Sequence, residues 1–203
     1  TLFNQKVTQL KQTSFAHFSC HGYFNFTNPR ISGLILADAK LPETAATESI
    51  PVIRSRRGEF NPDECLTLPE IFNLRLRNCR LVALSACETG ITDISTTSDE
   101  YISILAGFFF AGSRNVLGTL WAVNDVSTAI FMIRFYEILL GETQIPVALA
   151  LKQTQEWMRS RTLAELLNWI KSCELINEER REAMCDDLDR WYNPTEIPFE
   201  KPY

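Results

Sequence analysis

Two short runs constrain the fold more than anything else in the chain. Leu81-Val82-Ala83-Leu84-Ser85-Ala86 and Val116-Leu117-Gly118-Thr119-Leu120 are almost uninterrupted apolar sequence. A strand with one wet face alternates polar and apolar residues, so a run that is apolar nearly throughout must be covered on both sides, as inside a parallel sheet. Further β-favouring runs stand at residues 15–20 and 31–36, and the last run extends over 115–123. Helix signals alternate with them. Thr67-Leu68-Pro69-Glu70 is a capping box that opens a helix to about residue 76, and Ser98 suits the N-cap of a helix to Phe110, closed by Gly112. Asn124 or Asp125 suits the cap of a helix over 126–140, closed by Gly141. Pro146 fits the first turn of a helix over 147–159, and Thr162-Leu163-Ala164-Glu165 is a second capping box, for a helix to about residue 173. Residues 178–191 are charged on one side, as in a solvated amphipathic helix. Strands alternating with helices of this length predict an α/β fold, with a mostly parallel central sheet and helices on both faces.

Composition removes several function classes. The chain has 203 residues, 45% of them hydrophobic, which is enough for one domain with a core of its own. Twenty basic against 25 acidic residues give a net charge of −5, the wrong sign for a protein that binds nucleic acid directly. No window approaches the roughly 18 apolar residues of a membrane span. Six cysteines, at 20, 65, 79, 87, 173 and 185, show no C-x-x-C spacing and follow no secretory signal. They read as free thiols in a reducing cytoplasm rather than as a disulfide framework. Residues 37–63 break the alternation with Pro42, Pro51, Pro62 and the basic run Arg54-Ser55-Arg56-Arg57-Gly58. This segment is expected to be a long surface loop insertion, of a length that in a compact domain is usually functional or disordered.

Both histidines of the chain lie in Phe15-Ala16-His17-Phe18-Ser19-Cys20-His21-Gly22. On a continuous strand His17, Ser19 and His21 share one face. His17, mid-strand among apolar neighbours, reads as a satisfied histidine, either in the core or supporting the site from behind the residues that do the chemistry. His21 stands where the strand is expected to end and Gly22 to begin a turn, and ligands of open α/β sheets gather at such carboxyl ends. Cys87, in Leu84-Ser85-Ala86-Cys87-Glu88-Thr89-Gly90, closes another buried strand in the same way. If the two strands are neighbours, an imidazole and a thiol meet, as thiolate catalysis requires. On residue pattern alone, a packing thiol is the commoner use of such a cysteine. Cys20 is expected on the face opposite His21, Cys79, Cys173 and Cys185 on helices or their margins, and Cys65 in the loop. A zinc site drawn from His17, His21, Cys20 and Cys87 lacks paired-ligand spacing, so neither metal nor cofactor is expected.

Three strings in order, His17-Phe18-Ser19-Cys20-His21-Gly22, Ser85-Ala86-Cys87-Glu88-Thr89-Gly90 and Gly118-Thr119-Leu120-Trp121-Ala122-Val123-Asn124-Asp125, closely resemble the CHAT domain. That family comprises caspase-like and separase-like cysteine peptidases, often fused to tetratricopeptide repeats in bacteria. The resemblance runs from about Phe15 to the end of the chain. It implies a caspase-like three-layer sandwich, His21 as catalytic base, Cys87 as nucleophile, and the backbone amides of Gly22 and Cys87 as the oxyanion hole. It implies a protein substrate, and it makes further domains such as tetratricopeptide repeats the expected partners.

On the substrate side, Trp121 is a candidate groove wall, while Asp38, Glu88 and Asp125 are acidic candidates near the expected cleft. An acidic pocket favours a basic residue before the scissile bond, since a carboxylate pairs with Arg in a bidentate way. The basic loop at Arg54–Arg57 is a candidate for self-cleavage. Caspase-like folds place one or two strands before the histidine strand, and here only residues 1–14 precede it, so the single domain over 1–203 is expected to be incomplete at both ends. The reading from a different class is a catalytically silent caspase-fold scaffold within a larger signalling protein.

Overall fold

The computed structural model describes residues 9–25, 27–37, 39, 41, 52–55, 58–85, 103–119 and 123–200. They divide into two compact units, residues 1–122 and 123–203.

The first unit is built on strands. β1 (Phe15–Phe18), β7 (Leu81–Leu84) and β8 (Val116–Gly118) form a three-stranded parallel sheet in the order β1-β7-β8. The central position of β7 explains its composition, because all four of its residues are buried. β1, its neighbour, buries only Ala16. β2 (His21–Tyr23), β3 (Gly33–Ile35) and β6 (Cys65–Thr67) form a second, antiparallel sheet in the order β2-β3-β6. A Cβ at Gly33 would collide with the Leu66 carbonyl oxygen, so the β3–β6 approach requires glycine there.

Among the described residues, this unit has two α-helices with defined bounds. α1 (Leu68–Asn73) starts at the capping box read from the sequence, with the Glu70 carboxylate accepting from the Thr67 backbone N–H at 2.7 Å. α2 (Ile104–Phe110) is capped by Ser103, whose hydroxyl accepts from Ala106 N, while Ser98 lies outside the described residues. The chain leaves α2 through Gly112 at φ +102°, a left-handed conformation that glycine adopts without Cβ strain. Leu34, Leu66, Ile71, Leu76, Val82, Leu84, Ile104 and Phe108 form the core between these elements. Phe18 joins it from β1, its ring 5.5 Å from that of Phe108.

The 37–63 segment, expected without regular structure, contains an antiparallel hairpin of β4 (Ile53–Ser55) and β5 (Gly58–Phe60). The cross-strand pair Ile53 and Phe60 is buried against Ile35, Ala39 and Cys65, which anchors the hairpin to the antiparallel sheet. Three-residue strands are too short to show a period of two among prolines and charges, so their pairing was invisible in the sequence.

The second unit is helical, with α3 (Asp125–Leu139), α4 (Val147–Arg159), α5 (Leu163–Ser172) and α6 (Glu178–Trp191). Its core joins Ile130, Met158, Leu163, Leu166, Ile170, Cys173, Ile176, Cys185 and Leu188. Of the two candidate caps of α3, Asn124 is the one used. Its side chain accepts from Val126 N at 2.8 Å and Ser127 N at 3.2 Å, and Asp125 is the first helical residue. α5 opens on the expected capping box of Thr162 and Glu165. Trp157 and Trp169 meet edge to face at 5.0 Å, and the Arg134 guanidinium lies 5.3 Å from the Trp157 ring centroid. Among the described residues no helix is long and apolar enough to cross a membrane.

Candidate active site

β1 and β7 are parallel neighbours, with His17 opposite Ala83 and Phe18 opposite Leu84. The two motif strands are therefore adjacent, the condition on which a His–Cys meeting depends. Both chains leave the sheet at the same carboxyl edge. His21 is the third residue after the end of β1, and Cys87 is the third after the end of β7.

His21 is not the last residue of the parallel strand, as the sequence suggested. Ser19 and Cys20 interrupt the extended run, and His21 begins β2, opposite Ile35 in the antiparallel sheet. Gly22 likewise begins no turn but lies inside β2, opposite Leu34. The alternation from His17 to His21 is broken because the chain passes from one sheet to the other between them. His21 is exposed and Gly22 half-buried.

His17 departs from the first of its two expected places. It is not a core residue but an exposed one, and its Nε2 lies 2.7 Å from the Ser85 hydroxyl. Packing on its protein side removes water from the ring and lowers its pKa from the ordinary value, favouring the neutral imidazole. Ser85 is held a second time, its backbone N–H donating to the Phe18 carbonyl at 2.9 Å. Sequence reasoning missed this pair. Both residue types stood in the motifs, but their meeting depends on the β1–β7 register, which no local pattern encodes.

The described cysteines, Cys20, Cys65, Cys79, Cys173 and Cys185, are free thiols. Cys65 is not in a loop: it opens β6, fully buried, and its thiol donates to the Asn61 carbonyl at 3.3 Å. Burial, with the Glu70 and Glu64 carboxylates adding to it, pushes the Cys65 thiol up to about 11. Burial first, then the neighbouring Cys65, pushes Cys20 up to about 11 as well. Thiols of this kind stay protonated at neutral pH and make poor nucleophiles. Cys79 is buried, its thiol donating to the Leu81 carbonyl at 3.2 Å.

A cleft of about 580 Å³ runs along β1, with Leu10, Phe18, Leu36 and Leu66 on its apolar side and His17 and Ser19 as polar groups. His21 does not line it, so the cleft lies beside that histidine rather than over it. Among the described residues no group of three His, Cys, Asp or Glu side chains is placed to hold a metal ion. Asp125 is exposed in the first turn of α3, in the second unit, where its carboxylate favourably faces the helix dipole. Asp38, Cys87, Glu88 and Trp121 lie outside the described residues.

The sequence model of one protein family, described as the CHAT domain, matches residues 4–193. No curated protein matches the chain.

Proposed function

The chain belongs to the CHAT domain family, and from that premise we propose that it is a cysteine endopeptidase with Cys87 as nucleophile and His21 as base. The family is caspase-like and typically peptidase-related, and the fold, mixed α/β with a three-stranded parallel sheet and six α-helices among the described residues, is compatible with a caspase-like sandwich. The observation that carries the proposal is the β1–β7 pairing, which releases the His21 and Cys87 segments from neighbouring strands at one edge.

In this mechanism His21 takes the Cys87 thiol proton, and the thiolate attacks the carbonyl carbon of the scissile peptide. The backbone N–H groups of Cys87 and Gly22 donate to the oxygen on which charge develops. His21 returns the proton to the leaving amine, and the amine departs. Water, deprotonated by His21, then releases the acyl group and restores the thiol. No metal or cofactor takes part. Asp38 and Glu88 are proposed to favour a basic residue before the scissile bond, and Trp121 to wall the groove, whereas Asp125, in the second unit, takes no part in that pocket. The substrate is a protein.

A panel of fluorogenic peptides, varied at the residue before the scissile bond, tests this with the wild type, Cys87→Ala and His21→Ala. Loss of orders of magnitude in kcat/KM is expected in both variants, with Arg or Lys peptides cleaved fastest in the wild type. Full activity in Cys87→Ala rejects the mechanism. Slowest cleavage of Arg and Lys peptides rejects the acidic pocket alone.

A further inference from the structure

We propose that His17 and Ser85 are positioning residues that fix the approach of the Cys87 segment to the His21 segment. The proposal rests on the reading of Cys87 as nucleophile and adds a device that sets its geometry. The bond itself, His17 Nε2 to Ser85 Oγ at 2.7 Å, joins the strand that leads to His21 to the first residue after the strand that leads to Cys87.

The sheet does not need this bond. The β1–β7 ladder already fixes the register, with His17 opposite Ala83 and Phe18 opposite Leu84. The Ser85 N–H to Phe18 carbonyl bond extends that ladder one step past β7. A side-chain bond at an exposed histidine competes with water and adds little to folding. What it does add is local. With its backbone and its hydroxyl both tied to β1, Ser85 has little freedom left, and a single residue, Ala86, separates it from Cys87. The position of a nucleophile relative to its base matters steeply, since a displacement of about 1 Å can cost about a hundredfold in rate. A neutral imidazole serves this purpose, because its Nε2 can donate to or accept from a hydroxyl according to tautomer. Packing around His17 favours that neutral form.

The test uses the full chain with Ser85→Ala, His17→Ala, the double variant and Cys87→Ala. The measurements are kcat and KM on the best peptide, and the rate of Cys87 alkylation by iodoacetamide across pH. Expected are a fall in kcat of about tenfold or more in each single variant, with KM within about twofold. The double variant is expected to be no slower than the slower single one, since both remove the same bond. The alkylation profile of Cys87 moves to higher pH in both. Should His17→Ala not fold, Ser85→Ala, which removes one oxygen atom, carries the test alone. Wild-type kcat and an unmoved alkylation profile in Ser85→Ala, beside an inactive Cys87→Ala, overturn the positioning role and leave the peptidase reading standing. Full activity in Cys87→Ala overturns both.

Discussion

The two units hold themselves together differently. In the second, four helices bury an apolar core, and three are opened by side-chain caps at Asn124, Thr162 and Asn177. Each of these caps satisfies backbone N–H groups of its own helix, as the Thr67–Glu70 box and Ser103 do for α1 and α2 of the first unit. In the first, polar residues also collect where the parallel strands stop: His17 and Ser85 meet at the carboxyl edge of that sheet, and His21 follows within a few residues. β7 is buried at every position, and the half-wet β1 strand lets its end carry an imidazole. Capping residues serve stability, whereas the proposed chemistry gathers at the strand ends.

This contrast breaks if substitutions in the two units have the same consequences. The largest expected effect is the loss of orders of magnitude in kcat/KM for His21→Ala, with a thermal midpoint near that of the wild type. Leu166→Ala in the second unit is expected to do the reverse. Leu166 is fully buried, so truncation costs about 2–5 kcal/mol, read as a lower urea midpoint, while peptide preference is kept. A His21→Ala protein that is mainly unstable, or a Leu166→Ala protein that changes preference, would contradict the division.

Alkali sharpens it next. Cys20 and Cys65 of the first unit hold their protons up to about 11 in the fold, above the ordinary thiol value of 9.0. On raising the pH the unfolded chain loses these protons first, so the stability they contribute is complete below about 9 and is lost as pH rises through about 11. The urea midpoint should fall across that interval, and less steeply in Cys65→Ala. An equally steep fall in Cys65→Ala would remove the buried thiol as the cause. His17 works at the acid end with the opposite sense: its lowered pKa makes the fold most stable above the ordinary imidazole value of about 6.5, with a loss as pH falls below it.

The smallest effect separates two neighbours in the second unit. Asn124→Ala removes the acceptor of two backbone N–H groups and should cost about 1 kcal/mol. Asp125→Ala removes only a charge at the helix start, worth about 0.3–1 kcal/mol at low salt, and that loss should fade as salt is added. Equal, salt-independent losses would mean that Asp125 has another structural partner.

The second unit was the more legible in the sequence, because its signals are local. The helices Val147–Arg159 and Glu178–Trp191 stand where Pro146, the apolar period and the charged face put them. β7 was legible because a strand apolar at every position has one environment open to it. The break between His17 and His21 was not legible, since nothing in Ser19-Cys20 marks a change of sheet and the partner that defines the first sheet, β7, is remote in sequence, while that of the second, β3, is the next strand of the chain. The burial of Cys65 and the Ile53–Phe60 pair escaped for the same reason: each depends on a partner brought in by the antiparallel sheet. At the site, the residue types were legible in the motifs and the His17–Ser85 contact was not.

The central claim is that Cys87 differs in kind from the other five thiols and owes the difference to His21. Limited alkylation with iodoacetamide at neutral pH, mapped by mass spectrometry cysteine by cysteine in the folded wild type and in His21→Ala, measures this directly. The account predicts that Cys87 reacts about tenfold or more faster than any other cysteine in the wild type and loses that lead in His21→Ala. Reaction of Cys87 no faster than the remaining five, or a lead that survives the loss of His21, would contradict it.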